Sequence, residues 1–159
     1  MAKEMHIVGF RIGKETFGVP IALVHEIVRV PEITAVPDAP ACVEGVINLR
    51  GRIISVVDLR KRFGEKEAAR NKKNRILVAE VDGKLVGLVV DAASEVLKIP
   101  HSDIDKAPQV YEENELNYVT GVGKLNGRLI ILVDMSKILR PGELRKLDQF
   151  AGVQAAVVA

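Results

Sequence analysis

The sequence is poor in the residues that build disulfide-rich, zinc-stapled and aromatic-rich folds. Its 159 residues contain one cysteine, Cys42, no tryptophan, two tyrosines and four phenylalanines. One cysteine closes no internal disulfide and supplies no CxxC pair, which excludes a disulfide scaffold and a thiolate zinc cage. No apolar run reaches the roughly 18 residues of a membrane span, and no signal-peptide pattern opens the chain. We therefore expect a soluble cytoplasmic protein without direct membrane insertion.

Motifs for catalysis and cofactor binding are missing as well. The histidines at positions 6, 25 and 101 have no metal-ligand spacing, and no serine lies in a GxSxG context. Neither GxGxxG nor a P-loop occurs. Asp58 and Asp134 follow apolar strands, where helix caps also stand, and we interpret both as caps. The sequence thus predicts no enzyme, no metal and no cofactor.

Short apolar runs rich in Val and Ile dominate what is present. Such residues fit a pleated surface, and the runs end at Gly, Asp, Asn or Pro. The predicted strands are Met5–Ile12, Thr16–Pro20, Ile27–Val30, Val46–Leu49, Ile53–Val57, Arg75–Val81, Leu85–Val90, Glu95–Ile99, Tyr118–Lys124 and Leu129–Val133. Tight hairpins are expected at Gly13-Lys14, Arg50-Gly51, Asp82-Gly83 and Asn126-Gly127.

Helices and loops are assigned from the remaining segments. Short helices are predicted at 21–25, 58–63 and 134–139, and an amphipathic helix at 142–151. Segments 64–74 and 100–117 are polar and charged, so we predict loops there.

Two blocks of sequence recur in order along the chain. Gly18–Pro31 is similar to Gly87–Pro100, and Gly45–Phe63 matches Gly121–Leu139 at nine of 19 positions. The duplication predicts a mainly β protein of two similar five-stranded antiparallel units, about 10–70 and 76–140, followed by a helix and tail at 141–159. Because each unit alone has a thin core, we expect the units to close on themselves and pack together. Partners would dock in a groove at their junction.

Charge is distributed unevenly. Residues 50–75 contain ten basic and three acidic residues, a net +7, whereas residues 76–119 have a net −6. This separation of positive and negative charge can attract and orient protein partners. Two other function classes stay open at this point: a β-barrel that binds single-stranded nucleic acid through the basic stretch, and a sensor that binds a small ligand between the units.

The stretch Val46–Arg60 resembles the NLRG…(V/I)DLR signature of the CheW family of bacterial chemotaxis coupling proteins. Residues 17–21 (FGVPI), 24–27 (VHEI) and 86–91 (VGLVVD) resemble further elements of that family, in the same order. The likeness covers about His6 to Leu139, so a single CheW-like domain is expected over 1–159. Phe17 and Ser55 replace the Tyr and Pro that are common in the family.

The resemblance implies two SH3-like five-stranded β-barrels and a non-enzymatic adaptor. Such an adaptor couples the cytoplasmic tips of chemoreceptors, the methyl-accepting chemotaxis proteins, to the regulatory domain of the histidine kinase CheA. It would be recruited to receptor arrays at the membrane and could self-associate or form rings with kinase domains. No nucleic acid is expected as a partner. The same coupling role in a non-motility chemosensory pathway is an alternative.

The resemblance also implies which residues bind the partners. The receptor-binding groove corresponds to Val24, Glu26, Ile27, Arg50, Gly51 and Val90. Since Arg50 at a hairpin tip is mobile unless paired, Glu26 is its expected partner. Kinase contacts are expected on barrel faces and edge strands, in the region of Arg52, Ile54 and Val56 and in the second unit.

Overall fold

The computed structural model of the chain describes residues 4–37, 43–62, 72–81, 83–106 and 118–138, without the side chains of Arg62, Ser94 and Glu95. Within these residues the chain forms eleven strands: β1 (Glu4–Ile12), β2 (Glu15–Pro20), β3 (Val24–Arg29), β4 (Val43–Leu49), β5 (Arg52–Asp58), β6 (Arg75–Val81), β7 (Lys84–Val90), β8 (Ala92–Pro100), β9 (Ile104–Lys106), β10 (Val119–Leu125) and β11 (Arg128–Val133). The helical segments are α1 (Leu59–Arg62), α2 (Met135–Ile138) and 3-10 turns at Ile21–Leu23 and His101–Asp103.

The mainly β fold class with two sheets and short helices is confirmed. All ten predicted strands are present, and the predicted helical turns lie at α1, α2 and Ile21–Leu23. The loop predicted over 100–117 is wrong at its start, because β9 and a 3-10 turn lie there. The helix predicted at 142–151, the tail and most of the loop at 64–74 lie outside the described residues.

The strands form two sheets with a common design. Sheet 1 has the order β8-β1-β2-β11-β10-β9 and sheet 2 the order β3-β6-β7-β5-β4. Most neighbouring strands are antiparallel, but β11 pairs with β2 and β5 pairs with β7 in parallel. The expected pair of five-stranded antiparallel sheets is therefore corrected on two points: each sheet contains one parallel pair, and sheet 1 has β9 as a sixth strand.

The duplicated sequence blocks are exchanged between the sheets. The hairpin β1–β2 of the first repeat lies in sheet 1, whereas β3, β4 and β5 of the same repeat lie in sheet 2. In the second repeat the hairpin β6–β7 lies in sheet 2, whereas the strands from β8 to β11 lie in sheet 1. When repeat-related strands are matched, β8-β1-β2-β11-β10 has the same order as β3-β6-β7-β5-β4. Neither sheet is thus built from the segment 10–70 or 76–140 alone, because the chain changes sheet after β2 and after β7.

Three hydrophobic clusters explain why many strands are apolar on both faces. One cluster lies inside the curvature of sheet 1 and includes Ile7, Ile99 and Ile130. A second lies inside sheet 2 and includes Ile47 and Ile76. The third and largest lies between the sheets and takes side chains from both. Strands covered on both faces need near-continuous hydrophobic sequence, as observed. This third cluster, called the central cluster below, fills the space between the two sheets, where a groove was expected.

Two repeat-related glycines mark the same close approach of backbone. A Cβ at Gly45, whose φ is +146°, would collide with the carbonyl oxygen of Thr34, and Thr34 pairs with Val46 through two backbone hydrogen bonds of 2.9 Å. A Cβ at Gly121 would lie 2.7 Å from the carbonyl oxygen of Asp105 in β9. Each glycine therefore lets a neighbouring segment pair closely against a strand of its sheet.

Candidate functional site

The predicted receptor-binding residues of the first repeat lie on β3, an edge strand of sheet 2. Among the described strands β3 pairs only with β6, and its register shifts between Val24 and Glu26. Burial alternates along β3, so that Val24 and Glu26 are half-buried and Ile27 is exposed. Ile21, in the 3-10 turn that leads into β3, is also exposed. An edge strand with exposed isoleucines is a surface that a partner can cover.

Arg50 occupies the hairpin that joins β4 to β5. Its φ is +53° and that of Gly51 is +86°, as a two-residue type I′ turn requires. The side-chain oxygen of Asn48 accepts a 2.8 Å hydrogen bond from the Gly51 amide and holds the turn. The corresponding turn of sheet 1 has Asn126 and Gly127 with φ of +51° and +77°. Asparagine tolerates this left-handed conformation much better than arginine does.

The guanidinium of Arg50 meets the Glu26 carboxylate in a bidentate pair. Nη1 donates to Oε2 at 2.9 Å and Nη2 donates to Oε1 at 2.6 Å. The Arg50 side chain is 73% exposed and that of Glu26 26% exposed. The pair expected from sequence is thus confirmed. Because the two side chains fix each other, the charged fork of Arg50 is held at the edge strand β3, where Glu26 and Ile27 point to opposite faces.

Other predicted site residues do not share this surface. Val90 is fully buried in the central cluster, so it does not line an exposed groove with the residues of β3. Ile54 and Val56 are buried inside sheet 2, and β5 is an interior strand between β4 and β7. Of the three residues that marked the kinase-contact region, only Arg52 is exposed. The expectation of an edge strand there is wrong for β5 itself.

A buried charged cluster, which the sequence reasoning missed, connects the two sheets. Arg60 is 1% exposed, and its Nε and Nη2 each donate a 3.0 Å hydrogen bond to the carboxylate of Asp58, which is also buried. Nη1 of Arg60 lies 3.3 Å from Asp91 Oδ1 and 3.4 Å from Asn74 Oδ1. Asp91 in turn accepts a 2.7 Å hydrogen bond from the amide of Gly13 in the β1–β2 turn.

The partners of Arg60 also determine its ionisation. Burial lowers the pKa of Arg60, but hydrogen bonds and charges from Asp58 and Asp91 outweigh burial and raise the pKa above its ordinary value. Asp58 also accepts a 3.0 Å hydrogen bond from the amide of Arg60, as predicted for a helix cap. The second predicted cap, Asp134, accepts hydrogen bonds from the amide and hydroxyl of Ser136. The clue in the sequence was the spacing Asp58-Leu59-Arg60.

Within residues 50–61 and 72–75, the described side chains of the basic stretch, several cations are buried or paired with carboxylates. Arg60 is buried, Arg50 is paired with Glu26, and Lys61 lies 2.5 Å from the carboxylate of Glu44. Cations that already have carboxylate partners contribute little to binding a phosphate backbone. The described residues of this stretch therefore give no support to nucleic-acid binding.

The described residues contain neither a metal-binding cluster nor a membrane-spanning helix. In that part of the chain no three His, Cys, Asp or Glu side chains converge in a way that could hold a metal ion. No helix there is long and apolar enough to cross a membrane. The exposed side chains described above form a surface around β3, whereas the buried charged cluster at Arg60 connects the two sheets.

Comparison with known proteins gives the family. The CheW-like domain matches residues 6–143. The chemotaxis protein CheW of Rhizobium meliloti is 39% identical over 140 residues, 88% of this chain and 90% of its own length, and that of Helicobacter pylori is 36% identical over 136 residues, 86% and 82%. The crystal structure of the scaffolding protein TtCheW from Thermoanaerobacter tengcongensis is 36% identical with a TM-score of 0.79, covering 87% of this chain and 94% of that one.

The chain belongs to the CheW family. Family and fold together support the role of a chemotaxis coupling adaptor, and the family is one of scaffolds rather than of enzymes. No comparison favours a nucleic-acid-binding barrel.

Proposed function

We propose that this chain couples the cytoplasmic tips of chemoreceptors to the regulatory domain of CheA in arrays at the membrane. The observation that carries the receptor contact is the bidentate Arg50–Glu26 pair, which fixes an exposed guanidinium at the edge strand β3. The receptor-binding surface consists of Ile21, Val24, Glu26, Ile27, Arg50 and Gly51. A receptor helix laid on it would cover the exposed isoleucines and meet the oriented guanidinium.

The backbone at Arg50 supports this assignment. A non-glycine residue at positive φ costs about 1–2 kcal/mol, and the repeat-related turn avoids most of that cost with Asn126. The exposed ion pair with Glu26 returns at most about 1 kcal/mol. Because folding alone favours asparagine or glycine at position 50, the arginine is best explained by a contact outside the chain.

The proposed kinase contact adjoins the receptor-binding surface at the β4–β5 hairpin and includes a second hairpin in sheet 1. We assign it to the exposed hairpin end of β5 at Arg52 and to the equivalent hairpin of sheet 1, where Leu129 is 60% exposed. The two sheets have the same strand order and so present two similar but non-identical ends. An adaptor with two such ends can contact two kinase domains heterologously, and such contacts close into rings when the rotation permits.

Co-sedimentation of the protein with a chemoreceptor signalling tip and the CheA regulatory domain tests the proposal. Wild type should bring both partners into one assembly, whereas Arg50→Glu should lose the receptor and still bind the kinase domain. Asn126→Glu is the matched control, because it places glutamate at the same position of the repeat-related turn and leaves Arg50 intact. It should retain the receptor.

Each outcome has a defined meaning. Receptor binding that survives Arg50→Glu would place the receptor contact elsewhere and leave the adaptor role intact. Absence of binding to either partner by folded wild-type protein, with receptors and kinase from the same organism, would contradict the coupling function.

A further inference from the structure

A cluster of cations that have no carboxylate partner among the described residues lies at the end of β3, past the receptor-binding surface. Arg29 on β3 and Arg75 on β6 are directly opposite each other in the antiparallel register. Lys72 precedes β6 and is exposed. Like charges directly opposite across two strands destabilise a sheet. A cross-strand pair of arginines therefore needs an explanation other than folding.

The guanidinium of Arg75 is fixed by only one of its nitrogens. Nη1 donates 2.8 Å hydrogen bonds to the carbonyl oxygens of Lys72 and Asn74, and its other nitrogens have no hydrogen bond within the described residues. Arg29 makes no ion pair or hydrogen bond within those residues either. Arg75 is thus anchored with its remaining donors open to a ligand, which lowers the entropic cost of binding.

Nearby carboxylates do not neutralise the cluster within the described part of the chain. Glu26, three residues before Arg29, uses both oxygens on Arg50. Asp91, which follows β7, accepts hydrogen bonds from Arg60 and from the Gly13 amide. The ion pairs among described residues do not include Glu32, which is exposed.

These cations surround a hollow of suitable size for a few side chains. It has a volume of about 480 Å³ and is lined by Arg29, Val30, Lys72, Asn74 and Arg75. Val30 packs on the hydrophobic cluster of sheet 2 and gives the hollow an apolar wall. Ile27, exposed on the same strand as Arg29, continues this apolar character. Cations beside aliphatic groups fit a polypeptide that carries both carboxylates and apolar side chains.

We propose that this hollow binds an acidic polypeptide segment of a protein partner. Among the described residues its lining contains no aromatic side chain on which a base could stack, which disfavours single-stranded nucleic acid. Three cations also form a small footprint for a phosphate backbone, in a chain whose net charge is +2. The segment's carboxylates would lie between the two guanidinium groups and remove their mutual repulsion. The proposal does not depend on the receptor contact of Arg50.

Fluorescence anisotropy with a labelled hexaglutamate peptide tests the proposal on the full chain at low ionic strength. Wild type should bind hexaglutamate but not hexaglutamine, and binding should weaken as salt is added. Arg29→Gln and Lys72→Gln should each weaken binding about tenfold. Because Arg29→Gln relieves repulsion by Arg75, it should melt at or above the wild-type temperature, which separates lost binding from lost folding.

The repeat supplies a matched control at the equivalent place in sheet 1. There Lys98 lies opposite His6 in the β1–β8 register, and Glu4 lies 4.0 Å from His6. Lys98→Gln removes the same charge and should change affinity by less than about twofold. The proposal is overturned if Lys98→Gln weakens binding as much as Arg29→Gln, or if hexaglutamate binds no better than hexaglutamine. Tighter binding of oligo(dT) than of hexaglutamate at equal salt would also overturn the choice of a polypeptide.

Discussion

Replacing Arg50 by asparagine separates what this residue does for folding from what it does for binding. Arg50 and Asn126 occupy the same position of repeat-related type I′ turns, with φ of +53° and +51°. Arg50→Asn therefore installs in the first turn the residue that the second turn already uses. The backbone should keep its conformation, and the guanidinium beside β3 is lost.

The expected change in stability is small because two effects oppose each other. Relief of the left-handed strain on arginine gains up to about 1 kcal/mol, since asparagine tolerates this conformation better. Loss of the pair with Glu26 costs about 0.2–1 kcal/mol, because the Arg50 side chain is 73% exposed. The sum lies within about 1 kcal/mol of zero. For a chain of this length, that corresponds to a shift in melting temperature of no more than about 4 °C.

Binding should respond very differently from stability. If the oriented guanidinium contacts the receptor, Arg50→Asn should weaken association with a receptor signalling tip by at least about tenfold, or about 1.4 kcal/mol. Urea denaturation measures the change in the free energy of unfolding, and co-sedimentation titration measures the change in receptor affinity. Destabilisation by more than about 2 kcal/mol would refute the reasoning, because it would show that the ion pair serves the fold. Unchanged receptor affinity in a folded variant would refute the binding role.

Five further substitutions test the fold and the limits of the site. Arg60→Met should lower the free energy of unfolding in urea by about 3–5 kcal/mol, because it leaves the buried carboxylate of Asp58 without its guanidinium; a loss under 1 kcal/mol would contradict the role of Arg60 in joining the sheets. Gly45→Ala should destabilise by several kcal/mol, whereas Gly51→Ala should cost only about 1 kcal/mol, since a Cβ meets Thr34 at the first position and nothing within 4 Å at the second. Ile27→Lys should reduce receptor binding without lowering the melting temperature, and Val90→Ala should cost on the order of 2 kcal/mol of stability; the reverse pattern would show that the exposed face of β3 is not the receptor-binding surface.

The strands were predictable because their signals are local. Runs of Val and Ile ended by glycine-containing turns identified ten strands, and the turn at Arg50-Gly51 was located by its position between two of them. The strand β9 was missed because Ile104-Asp105-Lys106 contains a single apolar residue. It pairs with β10 because Gly121 leaves room for the carbonyl oxygen of Asp105, a long-range contact that no local pattern contains.

The candidate site was predictable in part for a related reason. The family signature and the hairpin position together pointed to Arg50, and the pairing with Glu26 followed from charge. Val90 was misplaced because a β-branched residue at a strand end has the same local signal whether it lies in a groove or in a core. Its burial depends on the sheet 1 side chains that cover β7, and those are distant in sequence.

Exchange of hairpins between the repeats explains why the charged cluster at Arg60 lies where it does. Because β1–β2 joins strands of the second repeat in sheet 1, its turn must pass close to the end of β7 in sheet 2. Asp91 stands at that point, and its two oxygens engage Gly13 of one sheet and Arg60 of the other. An apolar contact at this place would be compatible with many relative positions of the two sheets. A guanidinium that is hydrogen-bonded to two carboxylates is compatible with few, because its hydrogen bonds are directional. The proposed receptor-binding surface lies on sheet 2, whereas the proposed kinase contacts lie on both sheets. If both proposals hold, a fixed position of one sheet relative to the other lets the binding of one partner affect the binding of the other.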